Sequence, residues 1–244
     1  MSKFSHKFFA GVCMGIAEIT PGISGATIAG LFNVYKDFVT FLNVFNPFKI
    51  KPNFKYFYKE INFNFIIPLL FGMAISIYLS AFAIDYLRKS YLYELKIFLS
   101  VVMVIAVIKN CGLDQSFYDS FKHLFDFIIG LLIAIVIALS LVELDFNNSF
   151  LLVLAGLLAF AAFLLPGISG SLVLVILGVY GNVTTAIKDI DLMFLAPFIV
   201  GMVISFLALP AQIIKRINEN EVKTKVFFSG LILGSIPAVW LHLV

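Results

Sequence analysis

Long apolar stretches alternate with short polar connections along the chain, and two of these stretches contain the same helix-breaking pentapeptide. Pro-Gly-Ile-Ser-Gly occurs at positions 21–25 and again, unchanged, at positions 166–170. A broken helix is costly in hydrocarbon, because its freed N–H and C=O groups have no water to bond. Paired breaks in membrane proteins typically build a substrate site, so the pattern predicts a site at the two pentapeptides.

The two pentapeptides belong to a longer internal repeat. An offset of 145 residues also relates Gly11 to Gly156 and Tyr35 to Tyr180. Further along, an offset of 129 relates identical residues of the two halves: Phe65, Pro68, Gly72, Met73, Ile75, Ser76, Lys96, Phe98 and Ser100 pair with Phe194, Pro197, Gly201, Met202, Ile204, Ser205, Lys225, Phe227 and Ser229. Each half therefore predicts a broken hairpin followed by two spanning helices. The alternative is a duplication that serves packing alone.

Composition agrees with a bilayer as the solvent. Of the 244 residues, 61% are hydrophobic, 13% are charged and 28 are Phe, which a soluble domain of this size does not need. The net charge of +3 is too small to indicate nucleic acid as a partner. The two cysteines and three histidines lie far apart in the sequence, so we expect no metal site.

The predicted fold is an all-α polytopic membrane protein made of two inverted repeats, each a re-entrant broken hairpin plus two transmembrane helices, with one linking transmembrane helix between them. The first repeat covers 1–112, the linker 113–149 and the second repeat 150–244. The predicted hairpins are 5–42 and 150–187, and the predicted spans are 64–87, 95–110, 127–142 (the linking helix), 192–214 and 225–243.

The distribution of positive charge predicts that both hairpins return to the side from which they start. The arms of the first hairpin, 5–20 and 26–42, are each long enough for about 24 Å of helix, against a hydrocarbon core of about 30 Å. With returning hairpins, 13 of the 17 Lys and Arg residues fall on one side, whereas crossing hairpins give 9 against 8. The positive-inside tendency favours the first arrangement, with the N-terminus in the cytoplasm. The second repeat is then upside down, and the two tips meet near mid-membrane.

The tips carry groups that suit an anion. A new helix is predicted to start after each break, and a helix start offers unpaired N–H groups and the positive end of the dipole. The alternative is that Ser24 and Ser169 only cap their own helices. The candidate substrate-binding residues are Pro21, Gly22, Ser24, Gly25 and Thr27 at the first tip, Pro166, Gly167, Ser169, Gly170 and Ser171 at the second, and Glu18.

Glu18 lies three residues before the first pentapeptide, at the predicted tip. An ionisable side chain at this depth indicates a functional role. It can carry a proton or another cation that neutralises the cargo, or accept hydrogen bonds from the opposing helix start. The alternative is a carboxylate paired with a nearby cation or reached by water. Its counterpart in the second half is Phe163, so the two tips are not chemically equivalent.

The stretch 11–27, together with Leu165–Ser171 and Leu177–Tyr180, resembles the PopT family of undecaprenyl-phosphate translocases. The resemblance covers nearly the whole chain. It implies recycling of a polyprenyl-phosphate carrier lipid from the outer to the cytoplasmic leaflet of a prokaryotic cytoplasmic membrane, without a cofactor and without catalysis, in contact with membrane lipids. Glu18 and Ala26 depart from the family pattern, which more often has Asp and Gly at these positions.

Two other functions compete with lipid translocation. The chain also resembles BacA-type undecaprenyl-pyrophosphate phosphatases, which have inverted repeats and a Pro-Gly-x-Ser motif. That enzyme chemistry needs an Arg beside the motif serine and several acidic metal ligands, whereas this chain has Gly25 and Gly170 there and only Glu18 near a tip. A channel or exporter of another small anion is the third alternative, and a cavity open sideways to lipid would distinguish it from a lipid carrier.

Overall fold

The computed structural model describes residues 3–20, 22–47, 61–113, 117–140 and 148–243. These ranges are helical throughout and contain no β-strand. The helices are α1 (Lys3–Ile19), α2 (Gly25–Leu31), α3 (Tyr35–Asn43), α4 (Phe63–Ser90), α5 (Leu92–Ile108, continued by a π-helical turn at Lys109–Leu113), α6 (Phe117–Phe121), α7 (Leu124–Leu139), α8 (Ser149–Leu164), α9 (Gly170–Ile176), α10 (Tyr180–Lys188), α11 (Leu192–Glu219), α12 (Glu221–Gly234) and α13 (Ile236–His242).

The helices have the length and apolar character of a multi-pass membrane protein. Three helical stretches of the described chain are long and apolar enough to cross a bilayer: Phe63–Ser80, Leu192–Glu219 and Glu221–His242. The number rises to five if each of two bent pairs counts as one span. One of these pairs, α9 with α10, bends by 115°.

The helix bounds repeat with the two offsets found in the sequence. Adding 145 to the bounds of α2 and α3 gives those of α9 and α10, and adding 129 to the bounds of α4 gives those of α11. The 28 residues of α4 and of α11 span about 42 Å at 1.5 Å per residue.

In each half, the first helix lies parallel to the long helix, and small residues bring the two backbones together. A Cβ at Gly11 would collide with the carbonyl oxygen of Leu69, and one at Gly156 would collide with that of Phe198. The start of α1 lies beside the start of α4, where the Lys7 ammonium donates to the Asn64 carbonyl at 3.0 Å. Close packing of small residues drives helix association in membranes, where water cannot drive it.

The linking helix α7 is parallel to the last span in the same way. Gly130 faces the Phe227 carbonyl, and Gly230 faces the Phe127 carbonyl. At the end where both helices start, Lys223 pairs with Asp126 at 3.3 Å. We call this end of the protein the lower end and the opposite end the upper end.

Helix α5 runs antiparallel to α12 and α13. It begins at the upper end, where the Lys96 ammonium donates to the Trp240 carbonyl at 3.1 Å. It ends at the lower end, where Asn110 and Glu221 line one cavity. The first hairpin also starts at the lower end, since Lys109 donates to the Asn33 side chain at 2.8 Å and the His6 ring contacts Phe32.

The returning arms differ from the prediction of one continuous helix. The arm 26–42 is divided into α2 and α3, and the equivalent arm of the second hairpin into α9 and α10. Asn33 (φ 56°) and Gly178 (φ 73°) have left-handed backbones that end the short helices, as such residues do at helix C-termini. The last predicted span, 225–243, is likewise interrupted at Ser235, between α12 and α13. Residues 141 and 142 of the predicted linking span lie outside the described residues.

Candidate functional site

The two hairpin tips are in direct contact inside the protein. The Gly167 N–H donates to the Thr27 hydroxyl oxygen at 2.8 Å, and both groups are buried. Nearby, the Tyr35 hydroxyl donates to the Leu164 carbonyl at 2.9 Å. Each bond joins residues that are more than 120 positions apart in the sequence, so the contact depends on how the halves pack together.

At the first tip, side chains of the same hairpin accept hydrogen bonds from the N–H groups at the start of α2. The Glu18 Oε1 atom accepts a hydrogen bond from the Gly25 N–H at 2.7 Å, and the Ser24 hydroxyl accepts one from the Ala26 N–H at 3.2 Å. Glu18 therefore bonds the helix start of its own hairpin and not the opposing one. Pro21, also a candidate, lies outside the described residues.

At the second tip, the start of α9 is arranged differently. Ser169 makes no capping hydrogen bond, and its hydroxyl lies 2.8 Å from that of Ser171. In the described ranges, no side chain accepts a hydrogen bond from the N–H of Gly170 or Ser171. No described side chain therefore accepts from the second helix start, whereas Glu18 accepts from the first.

Both tips pack on the last span, and both depend on glycine. Gly22 (φ 97°) and Gly167 (φ 98°) have left-handed backbones, a conformation that costs other residues about 1–2 kcal/mol. A Cβ at Gly167 would lie 2.6 Å from the backbone of Leu231 and Ile232. One at Gly22 would approach the Val239 side chain at 3.0 Å.

A polar cavity of about 380 Å³ extends from the lower end to the tip contact. Its walls come from both hairpins and from the facing ends of α5, α11 and α12. The lining residues include Thr27, Tyr35, Lys36, Asp37, Asn110, Pro166, Ile217, Glu221, Thr224, Lys225, Phe228 and Ile232.

Of the candidate residues that the structure describes, Thr27 and Pro166 line this cavity. The other described candidates are not among its lining residues: Glu18, Gly22, Ser24 and Gly25 at the first tip, and Gly167, Ser169, Gly170 and Ser171 at the second. Three lining residues were not predicted from the sequence: Lys36 and Lys225 were interpreted only as topology signals, and Asn110 is the last residue of the predicted span 95–110. The equivalence of Lys225 with Lys96 was the one sequence signal that could have indicated more.

Asn110 lies in the wall of the cavity. It is 8% exposed, and its amide makes no hydrogen bond within the described part of the chain. It is not among the fully enclosed, unpartnered polar side chains of the described residues, which are Asn43 and Ser205. The Asn110 amide is therefore open to the cavity and can donate to a ligand there, and the Thr27 hydroxyl lines the same cavity.

A second cavity, of about 470 Å³, shares Thr224 and Phe228 with the first. Its inner walls are apolar and include Leu165, Ile213 and Phe227. Its outer rim is charged, with Asp126, Arg216, Glu219 and Lys223. Within the described residues, no three His, Cys, Asp or Glu side chains are grouped as a metal site would require.

Comparison with known proteins identifies relatives over almost the whole chain. The profile of the VCA0040-like family, described as undecaprenyl phosphate translocase-like, matches residues 14–243. A polyprenyl-phosphate transporter of Vibrio cholerae serotype O1 is 29% identical over 243 residues, which cover 98% of this chain and 78% of that protein. A polyprenyl-phosphate transporter of Staphylococcus aureus is 28% identical over 247 residues, covering 94% of this chain and 84% of that protein. No solved structure matches the chain.

Proposed function

The chain belongs to the undecaprenyl phosphate translocase-like family, and from this premise we propose that it carries polyprenyl phosphate from one leaflet of the cytoplasmic membrane to the other. The observation that carries the proposal is the buried contact between the tips at the floor of a polar cavity. The names of the two transporter relatives support the same lipid as cargo.

The proposed architecture is a pair of inverted repeats. Helices α5 and α12 occupy equivalent places in the two halves and run in opposite directions, which supports an inversion. Each hairpin then enters from its own side and returns, the first from the lower end and the second from the upper end. In the proposed orientation the lower end, with the N-terminus, faces the cytoplasm, in agreement with the bias of Lys and Arg.

The phosphate head group is proposed to bind beside the tip contact. A phosphate group loses hydrogen bonds to water when it enters the protein. It therefore needs protein donors that replace those bonds. The Thr27 hydroxyl at the cavity floor and the Asn110 amide in the cavity wall provide such donors. The isoprenoid tail needs only an apolar path, which the second cavity and the surrounding lipid supply.

Transport is proposed to proceed by alternating access, with the two repeats rocking about the tips. In this structure the polar cavity opens at the lower end. In the alternate state the cavity would close at the lower end and open at the upper end, and the head group would be released to the other leaflet.

Glu18 is the proposed coupling residue. Its carboxylate accepts a hydrogen bond from the Gly25 N–H and is itself the negative charge at the start of α2. Protonation would weaken this bond and remove one negative charge from the tip region as the phosphate moves past. Coupling to a proton gradient follows if the protonation alternates between the two faces of the membrane.

The test is transport by purified protein in liposomes that contain labelled polyprenyl phosphate in one leaflet. Movement of label to the other leaflet at a rate above that of protein-free liposomes supports the proposal, and an equal rate would overturn it. The same samples are assayed for released phosphate when undecaprenyl pyrophosphate is supplied. We propose that the chain is no enzyme, and phosphate release above background would favour the phosphatase alternative instead.

A further inference from the structure

Lys96 and Lys225 occupy equivalent positions in the two halves. They are related by the offset of 129, and each lies in the first turns of its helix, α5 or α12. The Ser100 hydroxyl donates to the Lys96 carbonyl at 2.8 Å, and the Ser229 hydroxyl donates to the Lys225 carbonyl at 2.8 Å. The repeat therefore preserves a lysine and the serine one turn after it.

The two lysines lie at opposite ends of the protein. Lys225 is at the lower end, four residues after the start of α12. Lys96 is at the upper end, where it contacts Trp240 of α13. The 15 residues from Lys225 to Trp240 belong to α12 and α13, with a break at Ser235, and span at most about 22 Å at 1.5 Å per residue. This separation places the two lysines on opposite sides of the membrane centre, where a long side chain can reach the nearer interface.

Lys225 is placed to meet a ligand in the cavity. It lines the polar cavity, and its ammonium pairs with Glu221 at 2.9 Å. Half of the Glu221 side chain is exposed (51%), so this carboxylate can turn into water, and pairs of this kind are weak. Lys36 and Asp37 also line the cavity, so its empty form is close to neutral. A phosphate can replace Glu221 at Lys225 without leaving a buried charge unpaired.

At the upper end, the Lys96 ammonium is held by Trp240. Its ammonium donates to the Trp240 carbonyl at 3.1 Å, and the Trp240 indole N–H donates to the Ser100 hydroxyl at 3.1 Å. The Tyr93 ring packs edge-on against the indole, with centroids 5.6 Å apart. The short helix α13 carries Trp240 and is separated from α12 by the break at Ser235. Movement of α13 alone would therefore release Lys96.

Resting on the proposed function, we propose that Lys225 and Lys96 are paired ligands for the phosphate monoester of the carrier lipid, one at each face of the membrane. Lys225 holds the head group when the cavity is open at the lower end. Lys96 holds it when the upper end opens, after Trp240 has moved away. The two lysines are never both available, since opening one end closes the other.

The test separates the two faces. Full-length protein is reconstituted in liposomes, its orientation is determined by protease access to a terminal tag, and initial flux of labelled polyprenyl phosphate is measured from each leaflet. Lys225→Gln is expected to raise the KM for flux from the lower-end leaflet about tenfold or more, the effect of losing a charge-assisted hydrogen bond. Lys96→Gln is expected to raise the KM from the opposite leaflet by a similar factor.

Matched variants control for charge and for folding. Lys225→Arg and Lys96→Arg keep the positive charge and should restore most of the affinity. Lys89→Gln removes an exposed lysine that pairs with Asp85 and should leave both KM values unchanged. If the wild type moves the lipid but both glutamine variants behave like Lys89→Gln, the paired-ligand proposal is overturned while the transport function stands. If the wild type moves no lipid, both proposals fail.

Two further measurements identify the ligand and the movement at the upper end. Excess inorganic phosphate should leave the flux unchanged, because it lacks the tail, and inhibition equal to that by unlabelled lipid would assign the lysines to free phosphate instead. Trp240 is the chain's single tryptophan, so its emission reports its own environment. Added polyprenyl phosphate should shift that emission in the wild type and less in Lys96→Gln, and an identical shift in both would contradict a role for Lys96.

Discussion

The two hairpin tips share a pentapeptide but satisfy their helix starts in different ways. At the first tip, Glu18 and Ser24 accept hydrogen bonds from the N–H groups that open α2. At the second tip, Phe163 stands in the place of Glu18, and the hydroxyls of Ser169 and Ser171 bond each other. The first tip therefore supplies a carboxyl acceptor for its own helix start, whereas no described side chain accepts from the N–H groups at the start of α9.

This difference teaches that, at the tips, the repeat preserves backbone shape and not side-chain chemistry. The φ angles of Gly22 and Gly167 agree within 1°, although the side chains around them differ. The carboxyl group of Glu18 has no counterpart at the second tip, so any proton coupling at this position would involve one tip and not both.

The largest expected effect compares the two tip glycines. Gly167→Ala should destabilise the protein by about 1–2 kcal/mol through its left-handed backbone and by about 1–3 kcal/mol more through overlap with the backbone of Leu231 and Ile232. Gly22→Ala should show the first loss and a smaller part of the second, since its Cβ would lie 3.0 Å from the Val239 side chain and 3.3 Å from the Val239 Cα. Thermal unfolding in detergent, followed by size-exclusion chromatography, measures both.

Gly181→Ala is the matched control for these glycine variants. Gly181 lies in α10, and no atom lies within 4 Å of the place where its Cβ would be. Alanine is the better helix former by about 1 kcal/mol, so this variant should be as stable as the wild type or more so. Equal losses at Gly22 and Gly167 would contradict the packing difference between the tips.

The second prediction breaks the contact between the tips. Thr27→Val keeps the shape of the side chain but removes the acceptor of the Gly167 N–H. A buried donor without a partner costs about 1–3 kcal/mol, and flux should fall with the loss of the hydroxyl. Thr27→Ser keeps the acceptor and should retain most of the stability in the same unfolding assay. Equal stability of the valine and serine variants would mean that the bond does not hold the tips together.

Much of the architecture could be predicted because it repeats along the sequence. The offsets of 145 and 129 come from identical residues such as Gly72 and Gly201, and the helix bounds follow the same offsets. The division of the returning arms could not be predicted in the same way. Asn33 and Gly178 end short helices through their backbone conformation, and an Asn in an apolar stretch is equally compatible with a continuous helix.

The site was predictable only in part, because the cavity joins residues from distant segments. Thr27 and Pro166 belong to the pentapeptide regions and were identified from the sequence. Asn110 and Lys225 lie at a helix end and a helix start, and nothing local distinguishes them from other polar residues in connections. Only the antiparallel packing of α5 and α12 brings them to one cavity.

The third prediction compares the two motif serines. Ser24→Ala removes the hydroxyl that caps α2 and should cost about 1 kcal/mol of stability. Ser169→Ala removes no cap, so its stability loss should be several tenths of a kcal/mol smaller than that of Ser24→Ala. Its loss of flux should be larger than that of Ser24→Ala. Thermal unfolding and liposome flux, measured on the same preparations, test both statements, and equal losses for the two variants in both assays would show that the tips act alike.

The fourth prediction has the smallest effect on stability and concerns Glu18. In Glu18→Gln the amide oxygen still accepts the Gly25 N–H, so the unfolding temperature should stay close to that of the wild type. The glutamine cannot take up or release a proton, and flux should therefore become independent of a pH gradient across the liposome membrane. Asp85→Asn, at an exposed pair with Lys89, is the control that should keep the gradient dependence. If the flux of Glu18→Gln still depended on the pH gradient, the carboxylate would have no part in coupling. Its role would then be to accept the Gly25 N–H and fix the start of α2.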